Sequence, residues 1–96
     1  MIPEKLEFIA TKEQSEKLRG LAYWTAERAW ITERIGPDSY DADRARKTVY
    51  MIGEQLARLG VPNWVGCAVV FWADQWRRYE GAGLVSELAK SNIYIK

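Results

Sequence analysis

Histidine is absent from this 96-residue chain, and cysteine occurs once, at Cys67. Without histidine, the chain cannot form a Ser-His-Asp or Cys-His nucleophile system or a zinc site with histidine ligands. A single cysteine cannot form an intramolecular disulfide, which is typical of proteins from a reducing compartment. We therefore expect a cytoplasmic protein. Because apolar residues flank Cys67 in the sequence, we expect it to be a small buried core residue.

The chain also lacks an excess of either charge and a long apolar run. Fourteen basic and thirteen acidic residues leave a net charge of +1, with both signs mixed along the sequence. This pattern indicates neither a nucleic-acid-binding arm nor a membrane-binding patch. Charged residues within the first ten positions argue against a signal peptide. The apolar run 64–73 is too short for a bilayer, which needs about 20 residues. We expect no membrane association.

No motif for catalysis, metal binding or cofactor binding is recognisable. The acidic stretch 38–43, DSYDAD, lacks the ligand spacing, central glycine and distant glutamate of an EF-hand. Its carboxylates are well placed to cap a helix and to favour the positive end of its dipole. The glycines of 81–83 lack the lysine and hydroxyl residue of a phosphate-binding loop. We expect a protein that is not an enzyme, with no catalytic residues, metal or cofactor. An enzyme using tyrosine, lysine or carboxylates is an alternative without positive support.

A capping signal and a glycine stop predict a first helix over residues 12–35. Thr11 and Gln14 match the T-x-x-Q capping box, and Gly36-Pro37 is a typical helix end. The main apolar stripe, with residues three or four apart, is Leu18, Leu21, Ala22, Thr25, Ala29, Thr32 and Ile35. A second line on another face is Tyr23, Ala26 and Trp30. One core needs only one stripe, so the second line requires another partner, within the domain or outside it.

A regular amphipathic pattern predicts a second helix over residues 42–59. Ser39 or Asp41 can cap its start, and Gly60 favours its end. Its apolar residues are spaced 4, 3, 4 and 3 apart: Ala45, Val49, Ile52, Leu56 and Leu59. This spacing places them on one face.

The third helix, predicted over residues 63–80, is apolar on all sides in its first half and should therefore be surrounded. Acid-to-base pairs four residues apart mark the solvent-facing sides of the three helices: Glu13–Lys17, Asp43–Lys47, Glu54–Arg58 and Asp74–Arg78. The third helix should then point these residues inward: Val65, Val69, Trp72, Trp76 and Tyr79. We expect Trp64 to belong to the core as well.

Together, these patterns predict a mainly α fold: a compact three-helix domain around the central apolar helix. After a break at residues 80–83, a short fourth helix is expected over residues 84–90. The segments 5–10 and 92–96 are strand-like, and they could pair as a two-stranded β ribbon formed by the two termini. The whole chain should form a single domain.

Residues 54–72, EQLARLGVPNWVGCAVVFW, resemble a helix-turn-helix, which would imply a DNA-binding regulator. A recognition helix presents polar side chains to base edges near its N-terminus. Here residues 64–67 are apolar or small, and only Asn63 offers hydrogen-bonding groups. A nearby basic cluster at 44–47 is diluted by Asp41 and Asp43. DNA binding is therefore kept as the alternative, and nucleic acid is not the expected partner.

The remaining signal is an excess of aromatic residues, with five Trp and five Tyr. Trp, Tyr and Arg are typical anchors of protein interfaces. The interface candidates are Tyr23, Trp30 and Tyr50, with rim residues Arg19, Arg34, Arg77 and Arg78. Tyr23 and Trp30 could equally be core residues, since aromatics dominate cores and interfaces alike.

We therefore expect a non-enzymatic protein–protein interaction module that acts by stoichiometric binding, as a small adaptor, inhibitor or assembly factor does. Self-association is its simplest form, and a homo-oligomer is expected, for example a C₂ dimer that buries the second line of the first helix. In composition the chain resembles small aromatic-rich phage and mobile-element products, including inhibitors of host defence complexes.

Overall fold

The computed structural model describes residues 6–76 and 81–96, and in this part of the chain the protein is mainly α-helical, as predicted. A two-stranded sheet accompanies four helices. In chain order the elements are β1 (Phe8–Ile9), α1 (Lys12–Arg34), α2 (Tyr40–Arg58), α3 (Asn63–Trp76), α4 (Gly81–Lys90) and β2 (Ile93–Tyr94).

Local capping groups set the ends of the first two helices. Thr11 Oγ1 accepts a hydrogen bond from the Gln14 backbone at 3.1 Å, and Gln14 Oε1 accepts from the Thr11 backbone at 2.8 Å. This is the predicted capping box. Ser39 caps α2, because its hydroxyl accepts from the Ala42 backbone at 3.1 Å. Gly36, beyond α1, has a φ of 130°, a conformation that L side chains rarely adopt.

The two strands pair in parallel, with Phe8 opposite Ile93, which confirms the predicted terminal ribbon. Two side chains of α1 form hydrogen bonds with the backbone of Lys96, which follows β2. The Ser15 hydroxyl accepts a hydrogen bond from the Lys96 backbone at 2.9 Å. Arg19 Nη2 donates to the Lys96 carbonyl oxygen at 2.6 Å. These polar contacts join the first helix to the last residues and fix the ribbon against the helices.

The core is built around α1, which packs against both α2 and α3, whereas α2 and α3 make few contacts with each other. The side of α3 predicted to face inward does so: Val65, Val69 and Trp72 are buried. The other large buried side chains come from α1, α2, α4 and β2, namely Leu18, Leu21, Ile52, Leu56, Leu84, Leu88 and Ile93. Because α2 and α3 make few contacts, one side of each helix borders an open groove.

Two predictions about α3 are wrong as a result. Cys67 is exposed rather than buried, and Phe71 is 72% exposed although the helix was expected to be surrounded. The cause is that α1 covers only one side of α3, and α2 does not close over the other side. Trp64 is half-buried and packs against the core, in line with its predicted place.

The apolar stripe of α1 is buried only as far as Thr25. Ala29 is half-buried, Thr32 is exposed, and Ile35, in the turn after the helix, is 56% exposed. The prediction that Thr32 and Ile35 face the core is therefore wrong. In the second line, Ala26 is only 4% exposed and belongs to the interior.

Several sequence predictions fall outside the described residues. They concern the interface candidates Arg77 and Arg78, the inward positions of Trp76 and Tyr79, and the first residue of the predicted helix break, Glu80. The fourth helix begins at Gly81, three residues before its predicted start.

Candidate binding groove

An open groove of about 1140 Å³ lies between α2 and α3, with α1 as its floor. The floor residues are Leu21, Thr25, Arg28, Ala29, Thr32 and Glu33. The α2 wall consists of Val49, Tyr50, Gly53, Glu54, Leu56 and Ala57. The α3 wall consists of Asn63, Gly66, Cys67, Val70, Phe71 and Asp74. Val61 and Pro62 close the end at which the chain passes from α2 to α3.

Large apolar side chains stand exposed on both walls. Tyr50 on α2 is 64% exposed and Phe71 on α3 is 72% exposed. Between them, Gly53 and Gly66 leave the helix backbones uncovered, since a Cβ placed at either would meet no atom within 4 Å. An exposed apolar surface bordered by polar residues is typical of a site that binds another molecule.

Among the described lining residues, the charged side chains of the two walls are acidic. Glu54 on the α2 wall and Asp74 on the α3 wall are both exposed. The floor carries one residue of each sign, Arg28 and Glu33. The described parts of the two walls therefore present carboxylates and no basic residue.

Thr25, in the floor, carries a polar atom without a partner. The residue is 4% exposed, and its Oγ1 is buried without a hydrogen bond in the described structure. A buried hydroxyl left unsatisfied costs about 1–3 kcal/mol. Because this oxygen has almost no accessible surface, it lies beneath the floor and not on the surface that a bound molecule would contact.

The predicted interface aromatics of α1 lie outside this groove. Tyr23 is 45% exposed and Trp30 is 46% exposed. Tyr23 meets the ring of Trp24 edge-on, with 5.4 Å between ring centroids. The Arg34 guanidinium carbon lies 5.5 Å from the centroid of the Trp30 ring, a cation–π geometry. Both aromatics are thus partly covered within the monomer and partly available to a partner.

The other predicted interface residues do not form one surface. Tyr50 lines the groove, whereas the α1 aromatics do not. Arg19 donates a hydrogen bond to the Lys96 backbone. Arg77 and Arg78 lie outside the described residues. The structure therefore divides the candidates between the groove and the face of α1 that carries Tyr23 and Trp30.

Sequence reasoning missed Cys67 and Phe71 as surface residues, although a signal was present. Asn63 and Asp74 are polar, and both lie on the exposed side of α3. Stepping back from Asp74 by the helical spacings of three, four and seven residues reaches Phe71, Val70 and Cys67. Extending the polar line along the helix would have identified the exposed face.

The acidic stretch 38–43 lies at the start of α2, with Asp41 and Asp43 in its first turn as the dipole argument predicted, but the capping group is the Ser39 hydroxyl and not a carboxylate. Asp43 Oδ2 accepts from Lys47 Nζ at 3.0 Å, and Arg46 also contacts this carboxylate. The hydrogen bond from Lys47 holds the pKa of Asp43 below its ordinary value. In residues 6–76 and 81–96, no group of three or more acidic or cysteine side chains is arranged to hold a metal ion.

Among the described residues, no helix combines the length and apolar character needed to cross a membrane.

Comparison with known proteins gives no further assignment: no protein-family model, curated protein or solved structure matches the chain.

Proposed function

We propose that this protein is a non-enzymatic protein-binding module that holds a partner in the groove between α2 and α3. The observation that carries the proposal is the groove itself, with Phe71 and Tyr50 exposed on opposite walls. Large aromatic side chains contribute strongly to protein association because they bury much area with little loss of conformational freedom. Adaptors, inhibitors and assembly factors all act by such stoichiometric binding.

The exposure of the groove favours a macromolecular partner over a small molecule. Its volume, about 1140 Å³, is close to the upper end of the roughly 300–1,000 Å³ common for small-molecule pockets. Small-molecule pockets bury most of their ligand, however, whereas Tyr50 and Phe71 on the two walls here are exposed. A segment of another protein could contact the floor and both walls while its outer side stayed in solvent.

Affinity capture from the organism that encodes the chain tests this proposal. Wild type, Phe71→Glu and Tyr40→Glu are compared by quantitative mass spectrometry of the captured proteins. Glutamate at position 71 places a charge where the partner's apolar surface should be buried, so a groove-bound protein should be lost. Tyr40 is 78% exposed, lies outside the groove and begins α2, where an acidic residue is favourable.

The proposal requires a protein that is recovered with wild type and Tyr40→Glu but reduced at least about tenfold with Phe71→Glu. Circular dichroism should show equal helicity and equal thermal midpoints for the three chains. If all three capture the same proteins in equal amounts, the groove is not the binding surface.

Self-association forms a second part of the proposal and is assigned to the face of α1 that carries Tyr23 and Trp30. Arg34 lies over the Trp30 ring, so this face combines aromatic and basic groups typical of interface anchors. A C₂ dimer would bring this face together with its own copy. The groove would stay open in such a dimer.

DNA binding has less support. The exposed side of α3 presents Asn63, Cys67 and Phe71, together with the acidic Asp74. Contacts to phosphate need lysine and arginine side chains, and the wall carboxylates Glu54 and Asp74 repel a polyanion. We place the binding activity in the cytoplasm, because an exposed unpaired thiol at Cys67 persists best in a reducing compartment.

A further inference from the structure

We propose that the partner segment in the groove is an amphipathic α-helix of a different protein, with lysine or arginine bordering its apolar face. This inference rests on the proposed function and names the chemistry of the partner. Three features of the groove carry it: the arrangement of its walls, the sign of its charges and the effect of those charges on a second copy of the chain.

Helices form the floor and both walls of the groove. A further helix placed between the walls would pack against all three. Along the α3 wall, the lining residues run from Asn63 to Asp74, a distance of about 16 Å at 1.5 Å per residue. This length matches three turns of a helix. A helix that places residues i, i+3, i+4 and i+7 in an apolar groove is a recurrent mode of recognition. Strand addition needs an open sheet edge, and the β1–β2 sheet does not line the groove.

The charges of the walls select a basic helix. Glu54 and Asp74 are exposed on opposite walls, so each can meet a cationic side chain beside the apolar face of a docked helix. Lysine and arginine suit this position because the aliphatic part of the side chain can lie along the apolar surface while the charged end reaches the carboxylates. Complementary charge of this kind raises the association rate and rejects acidic partners.

The same charges argue against a second copy of this chain as the occupant. In a two-fold symmetric contact through the groove, the surface of one copy meets the identical surface of the other. Glu54 and Asp74 would then approach Glu54 and Asp74 of the second copy. Like charges placed together at an interface are costly.

Synthetic peptides of about 14 residues, stapled because short isolated helices are marginal in water, test the proposal on the full chain. The first peptide has leucine at i, i+3, i+4 and i+7 with lysine elsewhere. The second keeps this pattern with glutamate in place of lysine. The third has the leucine and lysine composition of the first, with the leucines spread around the helix so that they form no apolar face. Calorimetry gives affinities, and the amide resonances of Gly53 and Gly66 report contact with each wall.

The Leu/Lys helix should bind and shift both glycine resonances, and the other two peptides should bind at least about tenfold more weakly. Phe71→Ala should weaken the Leu/Lys helix about tenfold or more, whereas the matched control Tyr40→Ala should stay within about twofold. The double variant Glu54→Lys/Asp74→Lys should transfer the preference to the Leu/Glu helix. Circular dichroism verifies that each variant is folded.

Equal or tighter binding of the Leu/Glu helix, or equal binding of the peptide whose leucines are spread around the helix, would overturn the inference. It would also be overturned if sedimentation of wild type showed self-association that Phe71→Ala abolishes, since the occupant would then be a second copy. A captured partner that depends on Phe71, together with no preference for the Leu/Lys helix, would refute this inference and leave the proposed function standing.

Discussion

Replacing Leu18 by alanine should lower the free energy of unfolding by about 3 kcal/mol, because a fully buried leucine leaves a cavity that its neighbours fill only partly. Leu18 is 0% exposed and belongs to the main core cluster. It lies on α1, the helix that packs against both α2 and α3. Domains of this size have a total stability of about 5–15 kcal/mol, so this single change should remove a large share.

Urea denaturation followed by tryptophan fluorescence measures the effect. The control is Met51→Ala, which shortens a side chain of similar size on α2 that is 51% exposed. It should cost less than about 0.5 kcal/mol, as surface substitutions usually do. A similar loss for both variants would mean that α1 does not form the centre of the core.

Changing Tyr23 and Trp30 together to alanine should weaken self-association by at least about 2 kcal/mol, or roughly thirtyfold in the dissociation constant. About half of each side chain is exposed and available to a second copy. The remaining half is covered within the monomer, where Tyr23 contacts Trp24 and Trp30 lies under Arg34. The monomer should therefore lose only about 1 kcal/mol of stability.

Sedimentation equilibrium over a range of concentrations gives the dissociation constant for wild type, the double variant and the control Tyr40→Ala. Tyr40 is exposed but lies on α2, so its removal should leave association unchanged. A wild-type chain that stays monomeric at all concentrations would contradict self-association. A dimer that survives the double change would show that this face is not the dimer interface.

The boundaries of α1 and α2 could be predicted because local contacts specify them. The capping box at Thr11 and Gln14, the Ser39 cap and the stop at Gly36 each act within a few residues in sequence. The core face of α2 was equally readable, because its apolar residues recur every three or four positions. Interactions of this range need no knowledge of how the helices are arranged.

The groove could not be predicted in the same way. The inward face of α3 through Val65, Val69 and Trp72 was predicted, because Asp74 marks the opposite, polar side of the helix. Whether another helix covers that opposite side depends on the positions of α1 and α2, and α2 makes few contacts with α3. The exposure of Cys67 and Phe71 is thus a consequence of tertiary packing. The interface role predicted for Tyr23 and Trp30 stays a prediction.

Cys67 allows the central claim, that a protein partner occupies the groove, to be measured directly. It is the only cysteine in the chain, and it is exposed on the α3 wall. The rate of its alkylation by N-ethylmaleimide is followed by mass spectrometry in the isolated chain and in the captured complex. A partner bound in the groove should slow this reaction at least about tenfold, because thiol reactivity requires access. An equal rate in the complex and in the isolated chain would contradict binding in the groove.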